Sequence, residues 1–433
     1  MKDFTCVGTK TTELAPKNFH YKKKILFLIF CISVLTANSQ VQPGFIDGDI
    51  SSGSELDWDD IWNENLPANS VSSWILFDDI NNSDDPEPNL VDLTFTQGSK
   101  DHQFISQWTN TTAGPNDKTN IQQAGAFLYQ GVIYFFGNLF ADNGDANIAF
   151  WFLQDDVGVS GNKFAGEHIR GDLFIVAAFT NGGKEGNIAV YEWRGDGSGD
   201  EPNSNNNLQT LISSTNPDPA LSVYVGAQLN TSPITAPWSY TSKDGSNVMV
   251  PNTFFEGFID LKGLLINTDF ELVPGTSACF SSFMVNTRNS ASVDAALNDF
   301  VAGGFDVQPE VQLDDKSICE GSGYEIIPSI SGGLLKPGET EFRYEWYYSE
   351  DLNTIISTDP TYTVDEDAGT YNFTLYVYGD AIDGLGECKG NAEVEIEIIS
   401  VPDIVTQGLD ACEIGETGKA DFTLTSGLTT TEG

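Results

Sequence analysis

From residue 40 to about 309, short apolar runs alternate with clusters of Gly, Asn, Asp and Pro, the texture of many short strands joined by turns. Ala126–Phe136, Asn147–Leu153, Asp172–Phe179, Asn187–Trp193 and Phe254–Leu261 are the clearest of these runs, rich in aromatic and β-branched residues. Several are apolar at successive positions, so both faces of those strands face protein. This predicts a large two-sheet, jelly-roll-like β-sandwich with buried central strands rather than one open sheet. Convincing helices are scarce, the best candidate being Ser292–Phe300, with Ser292 as cap and Ala295, Ala296 and Phe300 spaced to face inward.

From about 310 to 402 the pattern becomes strict alternation. In Ala392–Ile398 the apolar residues Ala392, Val394, Ile396 and Ile398 interleave with Glu393, Glu395 and Glu397. Tyr371–Val377 repeats the pattern with Tyr371, Phe373, Leu375 and Val377, as half-buried antiparallel strands require. Trp346 within Arg343–Tyr348 fits the inward tryptophan of an immunoglobulin third strand, and Asp367-Ala368-Gly369-Thr370-Tyr371 fits a tyrosine corner. This stretch therefore resembles an immunoglobulin-like or PKD-like module, and the fold class expected for the whole chain is all-β. The second cysteine of the usual inter-sheet bridge would fall at Phe373, so the pair expected instead is Cys319 with Cys388. A further opening, Cys412-Glu413-Ile414-Gly415, echoes Cys319-Glu320-Gly321, so 403–433 reads as the start of another β repeat.

At the front, Lys22-Lys23-Lys24, the apolar run Ile25–Leu35 and the small residues Ala37 and Ser39 follow the order of a secretory leader, with residues 1–39 removed. That run is too short to span a bilayer as a helix, and a transmembrane segment is not expected after cleavage. The location implied is secreted or cell-surface.

Composition narrows the function. With 63 acidic and 20 basic residues the formal charge is −43, which repels phosphate backbones and anionic lipid heads, so nucleic-acid partners are not expected. Of three histidines only His102 and His168 lie beyond the leader, neither in a nucleophile-elbow context, and zinc-binding CxxC or HExxH spacings are missing. The expectation is a protein that is not an enzyme.

Calcium is the sharper possibility among cofactors, none being certain. Asp142, Asn143, Asp145 and Asn147 bring hard oxygen donors into one inter-strand turn, the competing reading being an Asx turn without an ion. Asp196-Gly197-Ser198-Gly199-Asp200 is a weaker version. Asp155, Asp156 and Glu192 lie near Trp151 and Trp193, where a sugar could stack, and Trp238 and Tyr240 could form a platform or plug an edge. Arg170-Gly171-Asp172 spells an integrin-type tripeptide that a turn also explains.

The segments Phe95–Trp108, Asn116-Asp117-Lys118, Ala141–Leu153, Gly171–Gly183, Asn187–Trp193 and Cys279–Phe305 together resemble the N-terminal domain of large bacterial cell-surface proteins that carry adhesin-like β-sandwich repeats. Ile318–Gly321 (ICEG) is similar to immunoglobulin-like repeats of secreted Bacteroidetes proteins, many exported by the type IX system. In the first family a cysteine matching Cys279 often has a partner just after the final G-x-F; here Asp306-Val307-Gln308 follow Phe305. The resemblance implies a non-enzymatic adhesion or scaffold protein with a surface ligand, glycan being the candidate class. The alternatives are a calcium-dependent, lectin-like carbohydrate-binding domain and, third, an enzyme acting on polysaccharide.

Overall fold

The computed structural model describes residues 43–51, 56–77, 92–96, 98–142, 146–180, 185–215, 218–267, 278–336, 338–382 and 386–400. The expected leader at 1–39 and the expected repeat opening at 403–433, with Cys412, lie outside them.

The architecture is all-β, and its front part is a sandwich of two antiparallel sheets. The five-stranded sheet runs in the order Ser70–Phe77, Ile121–Tyr129, Val132–Leu139, Phe254–Asp260, Val225–Leu229. The eight-stranded sheet runs Leu208–Ile212, Glu185–Trp193, Leu173–Thr180, Ala146–Leu153, Ser282–Arg288, Leu297–Gly304, Thr94–Phe95, Asn110–Thr111. Between them lies a core to which Ala124, Ile133 and Phe135 contribute from one side and Ile148, Phe150 and Phe152 from the other.

The doubly apolar strands are explained by two further layers. Ala149, Trp151 and Leu153 point away from the inter-sheet core into a second cluster with Trp108, Phe164 and Trp193. On the opposite side Phe127, Tyr134 and Phe136 are covered by Phe45, Trp58, Ile61 and Trp238. Both sheets are thus roofed, and every central strand is buried twice.

Two local readings are corrected. Ala126–Phe136 is a hairpin rather than one strand, because Gln130 and Gly131 both take positive φ (52° and 82°) and reverse the chain between Tyr129 and Val132. Ser292–Phe300 is not helical. Its buried positions Val293, Ala295 and Leu297 recur every second residue, and Leu297–Gly304 pairs with Ser282–Arg288 as a strand. Among the described residues the α-helices are Trp58–Trp62 and Leu261–Asn267.

Past residue 309 the sheets change. Lys316–Cys319, Glu387–Ile399, Gly369–Asp380 and Arg343–Tyr348 form a four-stranded sheet whose first pair is parallel. Trp346 is fully buried and donates from Nε1 to the Asp359 carbonyl at 3.0 Å. Tyr371 donates from its hydroxyl to the Asp367 carbonyl at 3.1 Å, closing the tyrosine corner. Val394, Ile396 and Ile398 are buried while Glu393, Glu395 and Glu397 are exposed, as the alternation requires.

The expected Cys319–Cys388 bridge is corrected: Cys388 is bonded to Cys279, with Cα atoms 5.4 Å apart, and Cys319 is free and exposed. The reason is register. Cys319 pairs alongside Ile399, at the far end of the strand that begins beside Cys388. Eleven residues of strand separate the two, about 36 Å at 3.3 Å per residue.

Candidate functional site

The predicted calcium turn is only partly placed. Asp142 is exposed and Asn147 is half-buried in the Ala146–Leu153 strand, where it pairs with Ala178; Asn143 and Asp145 lie outside the described residues. In the weaker candidate, Asp196 accepts the Ser198 N–H at 2.9 Å and pairs with Arg170 at 2.9 Å. Those hydrogen bonds from Ser198 hold its carboxyl below the ordinary range. Asp200 accepts the Thr210 N–H at 2.7 Å, so both acids serve a local turn.

The residues considered for sugar contact or catalysis are largely taken up by packing. Trp151, Trp193, Trp238 and Tyr240 are buried, so none offers the ring face that stacking on a ligand requires. Glu192 is buried against Arg194 at 2.7 Å, and Asp155 accepts the Glu167 N–H at 2.8 Å while Asp156 is exposed. His168 stacks on Trp193, with ring centroids 4.1 Å apart, and its Nδ1 lies 3.2 Å from Asp172. That same Asp172 is the acid of the Arg170-Gly171-Asp172 tripeptide. Being fully buried, it cannot be offered to a receptor. His102 bonds Asp294 at 3.2 Å.

A cluster that the sequence reading passed over is more telling. Asp47 and Asp49 follow the turn Pro43–Ile46, and Asp57 immediately precedes the helix Trp58–Trp62. One carboxylate oxygen from each lies within 4.8 Å of the other two. Phe45 and Trp58 anchor the segment: Phe45 packs between Trp58 and Tyr134, at centroid distances of 4.8 and 4.6 Å. Gly48 takes φ +86°, and a Cβ there would meet Gln228 Nε2 at 2.9 Å, so only glycine lets the chain turn between the two aspartates so close to the sheet.

Beneath the cluster sits Glu256, fully buried on the outer face of the Phe254–Asp260 strand between Phe254 and Phe258. Its Oε1 accepts the Gly48 N–H at 2.5 Å and its Oε2 the Trp58 Nε1–H at 3.3 Å. Asp57 is also fully buried; Oδ1 accepts the Trp58 N–H at 2.6 Å, whereas Oδ2 has no hydrogen-bond partner among the described residues. Burial pushes the Asp57 carboxyl up to about 8, against the opposing Trp58 N–H bond and with Asp47 and Asp49 adding repulsion. Burial likewise holds Glu256 well above the ordinary range. The residues here that could hold a metal are Asp47, Asp49 and Asp57. Two signals for the cluster stood in the sequence: Asp-Gly-Asp ten residues before Asp-Trp-Asp-Asp, and a lone glutamate in the apolar run FFEGFID.

No protein-family model matches this chain, and no curated protein matches it. Solved structures resembling parts of it include the PKD domain of human KIAA0319, at 17% identity and TM-score 0.18, covering 23% of this chain and 89% of that one. The N-terminal four immunoglobulin domains of Dscam1 isoform 8.4 align at 8% identity and TM-score 0.18, covering 71% of this chain and 100% of that one. A structure from a 1.5-MDa bacterial ice-binding adhesin, concerned with host cell surface retention, aligns at 11% identity and TM-score 0.14, covering 62% and 92%.

Proposed function

We propose that this protein is an extracellular, non-enzymatic surface module that acts as a stiff adhesion or scaffold element, of the kind found in bacterial adhesin-like proteins. The observation that supports it is the Cys279–Cys388 bond, which joins the front sandwich to the immunoglobulin-like module across 109 residues of sequence. A buried disulfide of this kind belongs to an oxidising compartment. On the chain-entropy argument, closing so long a loop stabilises the fold by up to about 4.7 kcal/mol.

The junction is also packed. Leu334, Ala381 and Ile382 share the inter-sheet core with Phe280, Phe305 and Val307, and the Gly333 N–H donates to the Asp306 carbonyl at 2.7 Å. Leu335 N–H donates to Asn69 Oδ1 at 2.7 Å. A covalent bond and a shared core make the junction a rigid transmitter of load rather than a hinge. Binding would then be a matter for the loops at the sandwich ends, held in place by this frame.

Protease shaving of intact producing cells tests the reading. It is expected to release peptides in which Cys279 and Cys388 are linked; recovery of the chain from the cytosol alone, with both thiols reduced, would overturn it. Turnover of any member of a polysaccharide panel by the purified chain would overturn the non-enzymatic part.

A further inference from the structure

We propose that Asp47, Asp49 and Asp57 bind a divalent cation of the calcium class, which clamps the 43–62 segment onto the outer face of the five-stranded sheet. The inference is independent of the surface-module reading.

Spacing is the first support. Oxygens bound to one calcium ion at 2.3–2.6 Å can lie at most about 5 Å apart, and one oxygen of each of these carboxylates lies within 4.8 Å of the others. Magnesium demands near-octahedral order at about 2.0–2.1 Å and usually keeps several waters, so three converging carboxylates suit the more flexible shell of calcium better. The donors are all carboxylates, with no histidine or cysteine in the group, a hard set suited to such an ion.

The second support is the orphaned oxygen. Asp57 is fully buried and its Oδ2 lacks a hydrogen-bond partner among the described residues. Leaving a buried acceptor unsatisfied is costly, and native folds rarely do so without a reason. A cation shared with Asp47 and Asp49 supplies the missing partner.

The third support is the ion pairing of the described residues. Among the described residues no lysine or arginine pairs with Asp49, Asp57 or Glu256, whereas two other fully buried acids of this sandwich have an arginine, Asp101 with Arg288 at 2.8 Å and Glu192 with Arg194 at 2.7 Å. Glu256 serves as a positioning residue: its two oxygens hold the Gly48 N–H and the Trp58 indole, which sets Asp47, Asp49 and Asp57 around one point. Asp47 is exposed and Asp49 half-buried, so an ion can enter and water can complete its shell.

Thermal unfolding of the full chain in chelator, in about 1 mM calcium and in about 1 mM magnesium tests this, because an ion that binds only the folded state raises the melting point. Calcium is expected to raise Tm by several degrees. Asp57→Asn keeps the side chain's shape and its bond to the Trp58 N–H, and should abolish the shift. Asp47→Asn/Asp49→Asn, at more accessible positions, should abolish it as well, while Asp142→Ala/Asp145→Ala should retain it. Terbium gives a second readout: excitation of tryptophan should sensitise its emission through Trp58, calcium should displace it, and the Asp47→Asn/Asp49→Asn variant should lose it. Equal melting points in calcium and chelator would overturn the proposal. So would a shift that survives both the Asp57 and the Asp47/Asp49 variants, and a magnesium response as large as that of calcium would overturn the choice of ion.

Discussion

The two sandwiches treat their acidic residues in opposite ways. The immunoglobulin-like module sends Glu393, Glu395 and Glu397 outward from one strand, where water solvates them, and keeps its core apolar around Trp346 and Phe373. Its buried acid, Asp380, lies close to the junction. The front sandwich instead buries Asp57, Asp101, Asp172, Glu192, Glu256 and Asp299 completely. A buried carboxylate needs a cation or several donors to offset its lost hydration. Asp101 meets this need with Arg288, Trp151 Nε1 and Asn286; Asp172 with His168 and the Ile169 N–H; Asp299 with the Ile121 N–H. Asp57 has the Trp58 N–H on one oxygen and, among the described residues, no hydrogen-bond partner on the other and no lysine or arginine paired with it. The comparison teaches that an acid run on an alternating strand is a solvated face, whereas an acid on a doubly roofed sheet marks a position with a required partner.

The largest expected effect on this comparison comes from removing a partner inside the front sandwich. Arg288→Met leaves Asp101 enclosed and without its ion pair; chemical denaturation should show a loss of about 3–5 kcal/mol. Next comes the junction. A Cys279→Ala/Cys388→Ala variant should lose about 2–4 kcal/mol, and limited proteolysis should then separate the two sandwiches before either is degraded.

The third prediction concerns pH. In metal-free protein, Asp57 is raised to about 8 and Glu256 is raised in the same direction. Acids whose folded pKa exceeds the unfolded value stabilise the native state in their protonated form. That stability is complete below about pH 4 and is lost as pH rises toward 8. In chelator, Tm should therefore fall between pH 5 and pH 8. With saturating calcium the trend across that window should reverse, because the ion binds the ionised carboxylates. The smallest effect belongs to the other module: Glu393→Gln on its solvated face should change stability by no more than about 0.5 kcal/mol.

The same contrast explains what could be read in advance. Alternation at Ala392–Ile398, the tryptophan at 346 and the corner at Tyr371 are local signals, and each sits where the pattern placed it. The apolar runs of the front sandwich announced buried strands, but the pattern could not say what roofs them; the cover over Phe127 and Phe136 comes from Phe45, Trp58 and Trp238, far away in sequence. Helical spacing at Ser292–Phe300 misled because residues three and four apart there coincide with a two-residue period through Val293, Ala295 and Leu297. The disulfide was misassigned because cysteine spacing carries no register. The acid cluster was hidden for a similar reason. Gly48 and Glu256 lie 208 residues apart, and only the fold brings them together.

The most direct measurement is an anomalous difference map from crystals of the full chain grown with terbium in place of calcium. The account predicts a peak enclosed by Asp47, Asp49 and Asp57. A map with no peak there, or with its peak only at the Asp142–Asn147 turn, would contradict it.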